Sequence, residues 1–398
     1  MKKIKDVNDF NFKDKTVLLR VDYNVPINQY GKITDETRIN YSLPTINKIL
    51  FDKGKIVIIS HFGRPKGVFN NKYSLKFLIP ILSKKLKKYI FFCDKVIGNS
   101  TEEKIKNLKN GEIILLENLR FYKEEENGDK QFSYILSKYG DIYVNDAFGA
   151  SHREHSSITI LPKFFNKKCI GLLMKKEILN LSIFFSKKIN SPITIILGGA
   201  KIESKINFIK NFMKFADYLL IGGGMSYPFI KIDGGNVGNS IIDNIQSKIQ
   251  LIKEILYENK IKNIIYFPYD VIAIKSNDDN NIKIVPIHSI PNNWKGLDIG
   301  PNSIKNFCNI INKSKTILWN GPMGLFEKKI FSIGTISIAK AIIKRRNNAF
   351  TVVGGGDSIL ALKMIKSITK ISYLSTGGGA MLEFIKNKTL PGINAISL

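Results

Sequence analysis

Short runs of apolar, β-branched residues recur along this chain, and each ends in glycine or a charged residue before a helix-like stretch begins. In the first half the runs are Thr16–Val21, Lys55–Ser60, Glu112–Leu116 and Asp141–Asn145. In the second half they are Ile193–Leu197, Tyr218–Ile221, Ile264–Phe267, Thr316–Trp319, Phe350–Val353 and Ile371–Leu374. Runs that are apolar throughout, rather than alternating, read as strands buried on both faces. Strands alternating with helices pair in parallel through right-handed crossovers, so the pattern predicts an α/β chain with parallel sheets. Two such sets in 398 residues predict two sheets and two lobes, since one domain runs to roughly 150 residues.

Between the two sets, Leu172–Lys188 carries apolar residues at Leu172, Met174, Ile178, Leu181 and Phe185, close to helical spacing. Asn190-Ser191-Pro192 then stops it. The spacing predicts a helix joining a first lobe over residues 1–171 to a second over 192–390, with 172–191 as the connection.

Ligands of an open parallel sheet bind beyond the carboxyl ends of its strands. The unusual residues fall there: Asp22 and Asn24, His61 and Arg64, Glu117 and Arg120, Asp146, Gly198–Lys201, Gly222–Gly224, Asn320, Gly354–Asp357 and Gly377–Gly379. In the first half, Arg64, Arg120 and Arg153 follow strand ends, and Arg38 lies further along the loop after the first strand. The planar fork of arginine suits carboxylate and phosphate, so several converging on one site would hold a small molecule with two or more negative charges. Asp22 and Asn24 could accept hydrogen bonds from a substrate hydroxyl, and His61 could donate to an anionic oxygen. His152 and His155 flank Arg153, but only Glu154 stands by as a third ligand, a poor set for a metal. The acidic cluster Glu124–Asp129 reads as a solvated loop.

In the second half, Gly198-Gly-Ala-Lys-Ile-Glu-Ser-Lys205 follows a strand and opens toward a helix. Glycines let backbone approach phosphate closely, and a helix N-terminus favours negative charge. Lys201 and Lys205 share a helical face if the helix begins there, and could contact successive phosphates. Gly354-Gly-Gly-Asp-Ser358 repeats the arrangement: Asp357 could hold Mg²⁺ and Ser358 could cap the helix that follows. No GxxxxGK[ST] and no GxGxxG occurs, which removes the P-loop and the dinucleotide fingerprint of a nicotinamide-dependent dehydrogenase.

Composition narrows the setting. The net charge is +28, from 61 basic and 33 acidic residues, but the lysines are spread along the chain and Lys, Ile and Asn are all abundant. A nucleic-acid interface would cluster its charge around stacking aromatics, so no specific nucleic-acid partner is expected. Three widely spaced cysteines, Cys93, Cys169 and Cys308, with no CxxC favour a reducing compartment. The basic start Met1–Asp6 has no apolar segment behind it, and no apolar run reaches membrane-spanning length, so a cytoplasmic protein with no membrane partner is expected.

Together these motifs resemble those of phosphoglycerate kinases. The matching segments are Arg20-Val-Asp-Tyr-Asn-Val-Pro26, Asp35-Glu-Thr-Arg-Ile39, His61-Phe-Gly-Arg-Pro-Lys-Gly67, Leu116-Glu-Asn-Leu-Arg-Phe121, Asn145-Asp-Ala-Phe-Gly149 and His152-Arg153. They continue with Leu197-Gly-Gly-Ala-Lys201, Gly222-Gly-Gly-Met225, Gly296-Leu-Asp-Ile-Gly-Pro301, Trp319-Asn-Gly-Pro-Met-Gly324, Gly354–Asp357 and Ser375–Ala380. The resemblance implies two Rossmann-like lobes joined by a hinge helix. It implies phosphoryl transfer between 1,3-bisphosphoglycerate and Mg-ADP, giving 3-phosphoglycerate and ATP in glycolysis, by a monomer whose lobes close to react. It implies that Asp22, Asn24, Arg38, His61, Arg64, Arg120 and Arg153 hold the glycerate substrate. Gly199, Lys201, Lys205, Gly296, Asn320, Glu327, Gly355, Gly356, Asp357 and Ser358 would hold ADP or ATP, with Glu327 towards the ribose and Asp357 towards Mg²⁺. Arg38, Lys201 and the N–H groups of Gly355 and Gly356 would surround the transferring group. It also implies that the tail 391–398 folds back onto the first lobe. The chain departs from the family pattern at Val271–Ser276, where a further acidic residue usually precedes a lysine, at Glu203, and at Met381.

Overall fold

The computed structural model describes residues 4–242, 244–276 and 278–397. Met1–Lys3 and Leu398, the ends of the expected first lobe and tail, lie outside the described residues. The chain divides into two compact units, Met1–Ser182 with Gly379–Leu398, and Ile183–Gly378.

The first unit is built on six strands: β1 Thr16–Val21, β2 Lys55–Ile59, β3 Ile90–Cys93, β4 Ile113–Leu116, β5 Ile142–Asp146 and β6 Lys168–Ile170. They form one sheet in the order β3-β4-β2-β1-β5-β6, and every pairing is parallel. β1, β2, β4 and β5 are buried over nearly their whole length, which is why their sequences are apolar without alternation. Helix Thr37–Phe51 lays Ile39, Ile46 and Ile49 against Val17, Leu19, Ile56 and Ile58 of the sheet. β3 and β6, the edge strands of this sheet, are four and three residues long and were not read from the sequence.

Helix Leu172–Leu181 starts where periodicity places it, but the expected run to Lys188 does not hold. A 3₁₀ turn, Ser182–Phe185, replaces the last part, and at the junction both the N–H and the hydroxyl of Ser182 donate to the Ile178 carbonyl, the hydroxyl at 2.5 Å. At the other end the contact boundary falls at Gly379 rather than 390. Helix Gly379–Asn387 belongs to the first unit because Phe384 packs edge-on against Phe148, ring centroids 6.0 Å apart. Helix Pro391–Ser397 follows it there: the Gly392 N–H donates to the Ser151 carbonyl at 2.9 Å, and a Cβ on Gly392 would stand 2.8 Å from Ile158. Met381, a departure from the family pattern, is fully buried in this packing.

The second unit holds β7 Ile193–Leu197, β8 Tyr218–Ile221, β9 Asn236–Val237, β10 Ile265–Tyr266, β11 Asp270–Lys275, β12 Asp278–Pro286, β13 Ser289–Ile290, β14 Trp294–Ile299, β15 Thr316–Asn320, β16 Phe350–Gly354 and β17 Tyr373–Ser375. Six of them make a second parallel sheet, ordered β10-β8-β7-β15-β16-β17. An antiparallel sheet, β12-β11-β14, and a two-stranded ribbon, β13-β9, were not expected from the sequence. The departure at Val271–Ser276 falls on β11 and the turn residue after it; on the strand Ile274 packs with Ile272 and Phe331, and an acid at that position would be buried without a partner in this cluster.

In both parallel sheets the strand order reverses beside the first strand, between β1 and β5 and between β7 and β15. These two switch points open the crevices that take ligands in such folds.

Candidate active site

In the first unit, β1 ends at Val21 and delivers Asp22, while the segment after β2 delivers His61 and Arg64. Asn118, just past β4, ties these segments together. Its amide donates to the Phe62 and Tyr73 carbonyls at 2.7 and 2.9 Å, and its carbonyl accepts from Phe62 and Arg120 N–H at 3.2 and 3.0 Å. Arg120 then donates to the Gly63 carbonyl. Asn24 closes the same loop by accepting from the Gly63 N–H at 3.0 Å.

Arg38, in the first turn of its helix, donates to Asp22 Oδ1 at 3.0 Å and to the Asn24 carbonyl at 2.9 Å. Asp22 Oδ1 also accepts from the Asn24 N–H at 3.1 Å. Asp22 and Asn24 were expected to meet substrate directly; here each first serves to hold the loop and Arg38. Arg153, half-buried after β5, feels the charges of Asp22, Arg64, Arg20 and Arg38, and burial is the main cause that lowers its pKa from the ordinary value. Arg64 is exposed, and neither its guanidinium nor that of Arg153 has a hydrogen-bond or ion-pair partner among the described residues. Asp22, Asn24, Arg38, His61, Arg64 and Arg153 are thus linked by hydrogen bonds and charge past the strand ends, whereas Arg120 is buried and turned towards the Gly63 carbonyl and Glu126, 3.3 Å from its Nε.

Three further residues sit behind them. Arg20 is fully buried on β1, Glu125 is fully buried, and Ser157 lies between. The acidic cluster expected to be a solvated loop is in fact a short helix, Lys123–Asn127, with Glu125 turned inward, while Asp129 caps the next helix by accepting from the Phe132 N–H at 2.7 Å. The one sequence signal for this was a charge, Arg20, inside a run that otherwise reads as buried on both faces.

In the second unit, Gly198 directly follows β7. Its N–H donates to the Asn320 carbonyl at 3.1 Å and the Gly199 N–H to the Pro322 carbonyl at 2.9 Å, stitching the loop across the switch point to the end of β15. Gly199 has φ +116°, open to glycine. The helix after this loop begins only at Ile206, so Lys201 and Lys205 do not share a helical face. Lys201 is exposed in the loop, and so is Glu203. Lys205 instead folds under the loop and donates to the Gly198 and Asn320 carbonyls at 2.8 and 3.2 Å.

Gly355 has φ +91° and precedes helix Gly356–Met364. Ser358 does not cap that helix; its Oγ accepts from the Gly321 N–H at 2.7 Å and so holds the loop after β15. Asn320 likewise donates its amide to the Gly354 carbonyl at 3.0 Å. Gly356 and Asp357 face solvent at the start of the helix, and Asp357 lies near enough to Lys205 to influence its charge. Glu327 is exposed beyond the same loop. Gly296 is buried on β14, where a Cβ would stand 2.2 Å from the Tyr227 hydroxyl; it makes room within the fold.

Burial lowers the Lys205 pKa to about 8, only partly offset by Asp357. A phosphate bound there would favour the charged amine, so such binding would take up a proton once the pH reaches about 8. Calorimetry of ADP binding at pH 8.5 in two buffers of different ionisation enthalpy is expected to show net proton uptake and weaker binding than at pH 7. Lys205→Arg, always charged, is expected to abolish the uptake; equal heats in both buffers for the unaltered protein would contradict the assignment.

The phosphoglycerate kinase family model matches residues 7–388. Curated relatives include "Phosphoglycerate kinase 3, cytosolic" of Arabidopsis thaliana, 42% identical over 98% of this chain and 97% of that protein. Another is a phosphoglycerate kinase of Nautilia profundicola, 42% identical over 100% of both chains. Among solved structures, phosphoglycerate kinase from Pyrococcus horikoshii superposes with a TM-score of 0.85 at 34% identity over 98% of both chains. The enzyme from Coxiella burnetii gives 0.82 at 33% identity over 99% of both chains. With the motifs carried at two strand-end crevices and this likeness running through its whole length, the chain belongs to the phosphoglycerate kinase family.

Proposed function

We propose that this chain moves a phosphoryl group between the acyl phosphate of 1,3-bisphosphoglycerate and ADP, giving 3-phosphoglycerate and ATP, as a cytosolic step of glycolysis. The observation that carries the reading is the crevice of the first unit, where Arg38, Arg64, Arg153 and His61 converge around Asp22. Such a set suits a small molecule bearing a phosphate and a carboxylate.

In the ATP-consuming direction, a carboxylate oxygen of 3-phosphoglycerate attacks the γ-phosphorus, the new P–O bond forms as the bond to the β-phosphate oxygen breaks, and ADP leaves. The carboxylate is already ionised at neutral pH, so no residue needs to remove a proton. What the chain supplies is position and charge. Arg64, Arg120 and Arg153 hold the glycerate; Arg38, oriented by Asp22, and Lys201 neutralise charge on the transferring group. The Gly355 and Gly356 N–H groups donate to its oxygens, and Gly199, Lys205, Asn320, Glu327, Asp357 and Ser358 form the ADP half-site, with Gly296 shaping it from inside the fold.

Mg²⁺ fits this donor set. Asp357 is an exposed carboxylate with no hydrogen-bond partner among the described residues, and no cluster of three or more His, Cys, Asp or Glu occurs among them. A single carboxylate suits an ion that keeps phosphate and water as its other ligands. When bound, it would draw negative charge off the phosphate oxygens.

Two variants test the half-sites. Arg153→Met is expected to raise KM for 3-phosphoglycerate by at least tenfold with KM for ATP unchanged, and Lys205→Met to do the reverse. Initial rates over both substrates decide it; a rise in the same KM for both variants would contradict the assignment.

A further inference from the structure

Glu125, with no place in the reaction above, occupies the most costly environment a carboxylate can have: it is fully buried. Its Oε2 accepts from the Ser157 N–H at 2.9 Å and its Oε1 from the Ser157 hydroxyl at 2.6 Å. The Ser157 proton is therefore turned towards Glu125, which leaves an Oγ lone pair for Arg20. Arg20 Nε donates to it at 2.9 Å, and Arg20 Nη1 donates to the Val21 carbonyl. That fixes the guanidinium plane, with Nη2 lying 4.0 Å from Glu125 Oε1 and 3.1 Å from His61 Nδ1.

A guanidinium has donors only. His61 Nδ1 must then be the acceptor, and the ring proton must sit on Nε2. We infer that Glu125 is a positioning residue for the glycerate half-site: through Ser157 and Arg20 it locks His61 as a neutral ring whose Nε2–H is the donor left for an anionic oxygen. No protein group bonds Nε2 among the described residues. The surroundings agree with a neutral ring, since burial first, then Arg20, Arg153, Arg38 and His155, hold its pKa well below the usual histidine range. His155, 4.0 Å from Glu125 Oε1, is itself lowered to about 4, by burial and then by Arg153 and Arg20. Burial pushes the Glu125 carboxyl up, opposed by Arg20 and by both Ser157 bonds. The half-site would thus take one directional neutral donor among fixed cations, rather than another charge that varies with pH.

The inference rests on the reaction proposed above for its consequence, though not for its geometry, and the test separates the two. Ring ¹⁵N shifts of His61 in the intact protein are expected to show an unprotonated Nδ1 and a protonated Nε2 from pH 5.5 to 8. A charged ring, or a proton on Nδ1, overturns the lock with no variant needed. Glu125→Gln puts an amide against Ser157 and can reverse the hydroxyl; Ser157→Ala removes the link. Each, where folded, is expected to show a mixture of His61 tautomers and about tenfold weaker 3-phosphoglycerate binding by calorimetry, with ADP binding unchanged, the scale seen when a partner behind a histidine ligand is lost. Unchanged shifts and unchanged affinity in both variants would overturn the role of Glu125. An unaltered protein with the Nε2–H tautomer but no affinity for 3-phosphoglycerate would support the lock and sink the reaction.

Discussion

Arg38→Ala is expected to lower kcat by on the order of 10³-fold while changing the Kd for 3-phosphoglycerate by only a few-fold. The asymmetry follows from where Arg38 is held. Its Nη1 is anchored to Asp22 Oδ1 and the Asn24 carbonyl, so the side chain is oriented before any ligand arrives and loses little freedom at the reacting group. The guanidinium groups of Arg64 and Arg153, by contrast, make no hydrogen bond or ion pair among the described residues, so their donors are available to a ground-state anion. An interaction made mainly with charge that develops during transfer appears in kcat and not in binding. Single-turnover rates with calorimetric Kd values check this; weakened binding with kcat intact would place Arg38 in ground-state recognition instead.

Gly198→Val is expected to abolish nucleotide binding and to destabilise the second unit by about 3 kcal/mol or more, leaving the affinity for 3-phosphoglycerate in place. A Cβ at Gly198 would stand 2.0 Å from the Pro322 carbonyl oxygen and 2.6 Å from the Met323 methyl. The first obstacle is backbone, and it is the same carbonyl that receives the Gly199 N–H at 2.9 Å. Relief therefore means parting the loop from the end of β15, which also withdraws both carbonyls that hold the Lys205 amine. Thermal unfolding with and without Mg-ADP reads both effects. At 100 times Kd the unaltered protein gains about 2.7 kcal/mol from a ligand, and the variant should gain none. A folded variant that keeps its ADP-induced shift would contradict this account of the loop.

The parts of the site legible in the sequence are those where local chemistry alone restricts the residue. Gly199 and Gly355 adopt positive φ at strand ends, and Arg64 and Arg153 are charged residues just past buried strands, so both kinds stand out without knowledge of their neighbours. What stayed hidden depends on contacts made at long range. Arg20 and Ser157 are 137 positions apart, and nothing near Glu125 in sequence distinguishes it from the exposed acids beside it. Lys205 reads as a phosphate ligand on a helix; only the fold shows it tucked beneath the glycine loop. The antiparallel β12-β11-β14 sheet is missed because β12 is rich in Asp and Asn, which favour turns, and its pairing partners supply the order that its own residues do not.

The central claim is that one chain joins both half-sites in a single transfer. The measurement that tests it most directly is ATP consumption by the purified protein with 3-phosphoglycerate and Mg²⁺, coupled to a dehydrogenase that removes the acyl phosphate, with Arg38→Ala alongside. The account predicts turnover that requires both substrates and falls by on the order of 10³-fold in the variant. Absence of turnover in protein shown to be folded, or equal turnover in the variant, would contradict it.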